Sequence, residues 1–158
     1  MKASHIADDG SITMVDISGK DTTARHASAE AVIRMNSAAQ AALRGGDLPK
    51  GDALVAAQVA GIMAAKQTAT LIPLAHSLPL SSVDVRFEWS SDGALHVQVQ
   101  ARTSARTGVE LEAMVAASIA ALTIYDMAKA LDRGITIESL RLLGKSGGKT
   151  GPWSRDDL

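Results

Sequence analysis

Between residues 83 and 101 the chain alternates apolar and polar side chains twice, and this stretch restricts the possible folds more than any other. Val83, Val85, Phe87 and Trp89 alternate with Asp84, Arg86 and Glu88. After the turn signal Ser90-Ser91-Asp92-Gly93, Leu95, Val97, Val99 and Ala101 alternate with polar residues again. A period of two sets one side of each run against a core and the other toward solvent. Two such runs across a short polar turn predict an antiparallel hairpin. Its apolar face needs cover, and the flanking segments supply helices.

Asp52 is a good N-cap for a helix running to about Lys66, with Leu54, Val55, Val59, Ile62 and Met63 on one stripe. Gly61 in its interior implies close backbone packing. A second, longer helix is predicted from about Gly108 to Leu131, stopped by Gly134. Upstream, Ala31-Val32-Ile33-Arg34-Met35 reads as a strand, followed by a short helix that Asn36 or Ser37 caps and Gly45-Gly46 ends. A single helix from Thr22 to Arg44 is the alternative. Ile135 to Leu143 is rich in β-formers and reads as a last strand. The order β-α-α-β-β-α-β predicts an α+β protein: a ferredoxin-like sandwich whose antiparallel sheet carries its helices on one face.

Aromatic residues make up 3% of the 158 positions, so Ala, Val, Ile, Leu and Met must fill the core. Alanine-rich helices approach closely but bury little area each, at about 25 cal/mol per Å² of apolar surface. Burial against further copies of the chain is therefore expected. No repeat, linker or internal boundary interrupts the sequence. Three regions are expected: a partly mobile arm over 1–20, which includes Asp8, Asp9 and Gly10; a single catalytic domain over 21–143; and a flexible Gly/Lys-rich tail over 144–158, able to close over a site.

The net charge of −1 argues against a general nucleic-acid binder, which needs a basic surface. The chain has no cysteine, which removes disulfides, thiolate metal sites and a cysteine nucleophile and fits a reducing cytoplasm. Residues 1–10 lack the apolar core of a signal peptide. The longest apolar stretch, Ala113 to Tyr125, is short for a bilayer and reads as a buried helix, so no membrane partner is expected.

The segment Gly144-Lys-Ser-Gly-Gly-Lys-Thr150 fails as a Walker loop, because Leu143 stands where the first glycine belongs and no helix follows. It can still wrap an anion through backbone N–H groups and the charges of Lys145 and Lys149; a solvated tail is the plainer reading. Asp126 and Lys129 sit three apart on the long helix, as a surface ion pair or as a lysine tuned by a carboxylate. Glu110 and Glu112 lie in that helix's first turn, where the dipole favours carboxylates. Glu112 and Asp126, 14 residues apart, fall on one face but roughly 20 Å apart along the axis. If both serve one site, a second chain must supply part of it. His76 lies in a loop bracketed by Pro73 and Pro79, suited to presenting an imidazole to a ligand. His96 falls on the polar strand face and reads as solvated, and His5 and His26 have no evident partner. No histidine and carboxylate pair has metal-ligand spacing, so no metal or cofactor is expected.

Taken together, seven stretches resemble the MoaC family, the cyclic pyranopterin monophosphate synthases. They are Met14-Val-Asp-Ile-Ser-Gly-Lys20, Lys50-Gly-Asp52, Ala60-Gly-Ile-Met-Ala-Ala-Lys66, Leu71-Ile-Pro-Leu-Ala-His76, Thr107-Gly-Val-Glu-Leu-Glu112, Ala121-Leu-Thr-Ile-Tyr-Asp-Met127 and Lys145-Ser-Gly-Gly-Lys149. The resemblance implies a lyase that converts (8S)-3',8-cyclo-7,8-dihydroguanosine 5'-triphosphate to cyclic pyranopterin monophosphate and pyrophosphate, in molybdenum cofactor biosynthesis and without a cofactor. It implies Lys129 as principal acid/base, Lys50 as a second catalytic lysine, and Asp126 as the group orienting Lys129. His76 with Ala75, Arg25, Lys20 and Lys145 would bind substrate, chiefly phosphate, and Glu110, Leu111 and Glu112 the heterocycle or sugar. It also implies a homohexamer, a trimer of dimers with sites at subunit boundaries. Three residues depart from the family pattern: Ala75 where cysteine is expected, Ser77 for proline and Arg106 for lysine. Ala75 supports one competing reading, a catalytically weak paralogue that binds the nucleotide; a second, independent of these departures, is a non-catalytic ferredoxin-like ligand- or RNA-binding module. The second requires Phe87 and Trp89 to stand exposed for base stacking.

Overall fold

The computed structural model describes residues 5–7, 9–149 and 151–155; Asp8, Thr150 and both chain ends of the expected arm and tail lie outside them. The chain runs β1 (Thr23–Arg34), α1 (Ser37–Gly45), α2 (Ala53–Lys66), α3 (Thr68–Leu71), β2 (Leu80–Trp89), β3 (Leu95–Ala105), α4 (Glu110–Ala128), β4 (Thr136–Ser146) and β5 (Trp153–Ser154). The strands form one antiparallel sheet in the order β2-β3-β1-β4-β5. With α1, α2 and α4 placed by the two crossovers on one face, this is the expected α+β, ferredoxin-like arrangement. In the hairpin, Trp89 lies opposite Leu95 and Val85 opposite Val99, as the alternation requires.

Strand then helix is the arrangement between Thr23 and Gly45. The Asn36 side chain accepts a hydrogen bond from the Ala39 N–H at 2.9 Å, and Gly46, at φ 73°, closes the helix. β1 nonetheless begins eight residues before Ala31. Its first half offers alanine and serine where strand formers would be legible, and pairing on both sides overrides that weak local preference. Ala27, Ala29, Ala31 and Ile33 are fully buried on the helix side.

The stripe on α2 is a correction. Val55, Val59 and Met63, expected to face the core, are about half exposed, whereas Ala53, Ala57, Gly61, Ala64 and Ala65 are buried. The reason lies in α4, which presents Ala113, Ala116, Ala117, Ala120 and Ala121 inward. Small faces let the two helices approach until a Cβ on Gly61 would lie 3.1 Å from the Ala116 carbonyl oxygen. Larger side chains are thereby left on the outer surface. Helix α4 is long and apolar enough by composition to cross a membrane, yet one whole face of it is packed in the core.

Phe87 and Trp89 pack against the core, and the Arg44 guanidinium lies 4.1 Å from the Trp89 ring centroid. They do not form an open stacking surface. His96 is a further correction. Its Nδ1 lies 2.8 Å from Glu30 Oε1, and Arg141 donates to the same carboxylate at 2.6 Å. Glu30 is buried in the sheet face away from the helices, so His96 is held by a partner that strand alternation alone does not reveal.

Candidate active site

The first turn of α4 gathers the expected site residues from four segments. β1 begins beside it, β3 ends in Arg106-Thr107-Gly108, and β4 runs three residues past Leu143 before turning into the glycine loop. Gly144 to Ser146 are thus strand, and Trp153–Ser154 add a short fifth strand against them. The loop between is shaped by contact. Gly147 and Gly148 have φ of 96° and 77°; a Cβ on the first would collide with the Ala24 carbonyl, and on the second with the Arg25 guanidinium. At Gly147 the backbone leaves room only for glycine, and at Gly148 the positive φ favours it.

These segments enclose a cavity of about 490 Å³ lined by Lys20, Arg25, Arg106, Lys145 and Lys149, with Asp21 and Glu110 as its acids. Lys145 donates to Glu110 at 2.7 Å. Arg25 is laid along the end of β3, its Nε 3.4 Å from the Ala105 carbonyl and its Nη2 3.4 Å from that of Arg106. Thr23 also lines the cavity, with a buried hydroxyl that finds no hydrogen-bond partner. An excess of cations over acids in a recess suits a polyphosphate.

A second cavity, of about 260 Å³, adjoins the first and shares Lys20, Thr107 and Gly108 with it. Ala75, His76, Leu111 and Glu112 line it, together with Val15 and Ile17 of the arm. His76 Nε2 lies 2.8 Å from the Val15 carbonyl. A carbonyl only accepts, so Nε2 is the donor in this contact, and in the neutral tautomer that leaves Nδ1 as an acceptor. Glu112 is 3% exposed, and its Oε2 has no hydrogen-bond partner. Burial, with Glu110 nearby, raises its pKa above the usual carboxylate value. A desolvated, unpartnered acceptor at a cavity wall is suited to N–H donors of a bound heterocycle.

Lys50, Asp126 and Lys129 meet at the opposite end of α4. Leu48 anchors the loop that carries Lys50, and Lys129 is the C-cap residue of the helix. Asp126 Oδ1 lies 2.6 Å from Lys129 Nζ, and its Oδ2 lies 2.9 Å from Lys50 Nζ. Lys50 also donates to the Asp126 carbonyl at 2.9 Å. Hydrogen bonds from both lysines, Lys129 first, press the Asp126 pKa down to about 2, and Asp126 in turn raises that of Lys129. About half of each side chain is exposed.

The expected residues therefore form two groups within one chain. Arg25, Lys20, Lys145, Glu110, Ala75, His76, Leu111 and Glu112 surround the start of α4; Lys50, Asp126 and Lys129 surround its end. Nineteen helical residues at about 1.5 Å each hold the groups apart. Thr23, His26 and Asp21 were not anticipated as lining residues. The signal for them lay in the glycine loop, whose docking on β1 fixes which strand end faces the cavity.

Similarity to known proteins extends across both groups. The family model described as "MoaC family" matches residues 14–148. A Novosphingobium aromaticivorans protein named cyclic pyranopterin monophosphate synthase is 52% identical over 149 residues, covering 94% of each chain. A protein of the same name from a Nocardioides species is 49% identical over 156 residues, covering 98% of this chain and 96% of its own. One from Bacillus subtilis is 47% identical over 156 residues, covering 97% and 92%. With a match that takes in the glycine loop, the His76 segment and both ends of α4, this chain belongs to the MoaC family.

Proposed function

We propose that the chain is a cyclic pyranopterin monophosphate synthase of molybdenum cofactor biosynthesis. It rearranges (8S)-3',8-cyclo-7,8-dihydroguanosine 5'-triphosphate to cyclic pyranopterin monophosphate and releases pyrophosphate. The observation that carries this reading is the joined pair of cavities at the start of α4. One is cationic and sized for a triphosphate; the other holds a buried carboxylate and an acceptor imidazole suited to a guanine-derived ring. Lys20 stands at their junction, where ring and phosphates of one ligand would meet.

In this reading Lys145, Arg25, Lys20 and Arg106 hold the phosphates, with the N–H groups of Gly147 and Gly148. Glu112 and His76 orient the heterocycle, and Glu110 sets the position of Lys145. Lys129 is the principal acid/base, Asp126 fixes its ammonium, and Lys50 is the second lysine. Asp126 raises the pKa of Lys129 and so favours its ammonium form. Ala75 costs the segment little: its N–H is held by the Ile72 carbonyl at 3.1 Å, and a methyl still lines the cavity. That favours an active enzyme over a binding-only paralogue.

The two groups act on one substrate when a second copy of the chain brings its Lys129 to the Glu112 end. Leu111 and Leu122 are exposed on the face of α4 that leads from Glu112 toward Asp126. Two α4 helices packed antiparallel along that face would complete two sites at once. The exposed α2 residues Val55, Val59 and Met63 leave further apolar surface for a hexamer, a trimer of such dimers. The glycine loop and the arm close the sites, and the lack of cysteine supports a cytoplasmic setting. Purified protein incubated with the cyclised nucleotide is expected to release pyrophosphate. No release at any pH from about 6 to about 9 overturns the reading.

A further inference from the structure

A third cavity, of about 300 Å³, lies on the sheet face away from the helices, behind the wall of the cationic one. Its lining is set by strand register. Arg102 on β3 is opposite both Ser82 on β2 and His26 on β1, and His26 is opposite Ser146 on β4. Directly opposed residues project from the same face, so Arg102, His26 and Ser146 form a row across three adjacent strands. Ser104 follows two residues after Arg102, and an irregularity between Leu80 and Ser82 turns Ser81 toward the same recess. Among the described residues no carboxylate lines it. The side chains of Arg102 and His26 make no hydrogen bond or ion pair there, unlike Arg34, Arg86 and Arg141, which are each paired with acids. Arg25, His26 and Ser146 line this cavity and the cationic one together.

We propose that this recess is a second oxyanion site, and that it receives inorganic pyrophosphate as it leaves the cationic cavity. Unpaired guanidinium, imidazole and hydroxyl donors without a competing carboxylate are the chemistry that holds a phosphate-type dianion. The shared wall gives the leaving group a short path from one set of donors to the next. The choice of pyrophosphate rests on the lyase reading above; the oxyanion chemistry of the recess does not.

Titration calorimetry with inorganic pyrophosphate on the full chain tests this without turnover. The wild-type protein is expected to take up two equivalents per chain, and R102A one. R102K, which keeps the charge and loses the planar fork, should hold the second equivalent at least tenfold more weakly. In an R106A/K149A background, which weakens the cationic cavity alone, the equivalent that depends on Arg102 should keep its wild-type affinity, and adding R102A should remove it. A wild-type stoichiometry of one, or R102A binding two equivalents as the wild type does, overturns the proposal. Failure of the lyase reading registers separately, as absence of pyrophosphate release from the cyclised nucleotide.

Discussion

The two ends of α4 carry the same kinds of residue, carboxylates and lysines, in opposite surroundings. At the start of the helix Glu112 is buried with its Oε2 unpartnered, and its pKa is raised. At the end Asp126 is open to solvent between two lysines and its pKa is lowered to about 2. The first end has walls: two cavities, a docked glycine loop and an arm carbonyl on His76. The second has charges, and Lys50, Asp126 and Lys129 line none of the three cavities described above. A polar group is kept desolvated and unsatisfied only where something else returns its hydrogen bond. Electrostatic interactions of acid–base groups strengthen where water is excluded. Under the proposed shared site, each end supplies what the other lacks.

The largest expected effect breaks this comparison at its open end. K129A should lower turnover by about 10²–10⁴-fold, the usual share of a positioned acid/base, with unchanged oligomer size on a sizing column. Turnover within tenfold of the wild type would remove Lys129 from its role. Mixing sharpens the point. K129A and E112Q, each inactive alone, should regain about a quarter of the wild-type rate when unfolded together and refolded, because half of random dimers are mixed and each holds one intact site. No recovery in mixtures shown to contain mixed dimers would mean that each chain works alone, against the helix geometry.

The walled end is tested through its loop. G147A places a side chain at φ 96° against the Ala24 carbonyl, a strain of about 1–3 kcal/mol. Thermal unfolding should show part of that loss. KM for the cyclised nucleotide should rise about tenfold or more as the loop leaves Arg25 and Lys145. A variant with wild-type KM would show that the loop does not shape the phosphate cavity.

Much of the fold was legible because the hairpin alternation, the Asp52 cap and the Gly45-Gly46 stop are local signals. What was not legible depends on tertiary contact. The α2 stripe pointed the wrong way because apolar periodicity does not show whether the large or the small face meets the neighbour; the alanines of α4 decide that. His96 looked solvated because Glu30 and Arg141 reach it from other strands. For the site, motifs gave the residues and helix rise gave their separation. That Lys50 reaches Asp126 within one chain was not deducible, since a loop residue 76 positions away has no periodicity to read.

The smallest effect separates the two carboxylates by the sign of their pH dependence. Glu112 has a folded-state pKa above its ordinary 4.5. Below 4.5 both folded and unfolded chains hold the proton, and Glu112 costs nothing. As pH rises past 4.5 the unfolded chain releases it first, so the folded state loses stability until its own pKa is passed. E112Q cannot release a proton, so its Tm minus that of the wild type should grow as pH rises from about 4 to about 8. Asp126 runs the other way. Its contribution is present above its ordinary 3.8 and is lost as pH falls toward about 2. The difference between D126N and wild type should therefore appear only above that acid range, and remain slight because the group is exposed. Taking differences from wild type cancels the acid loss from Glu30, which both variants share. Parallel curves for E112Q and wild type would show that Glu112 is solvated in solution, and the contrast between the two ends of α4 would then rest on cavity shape alone.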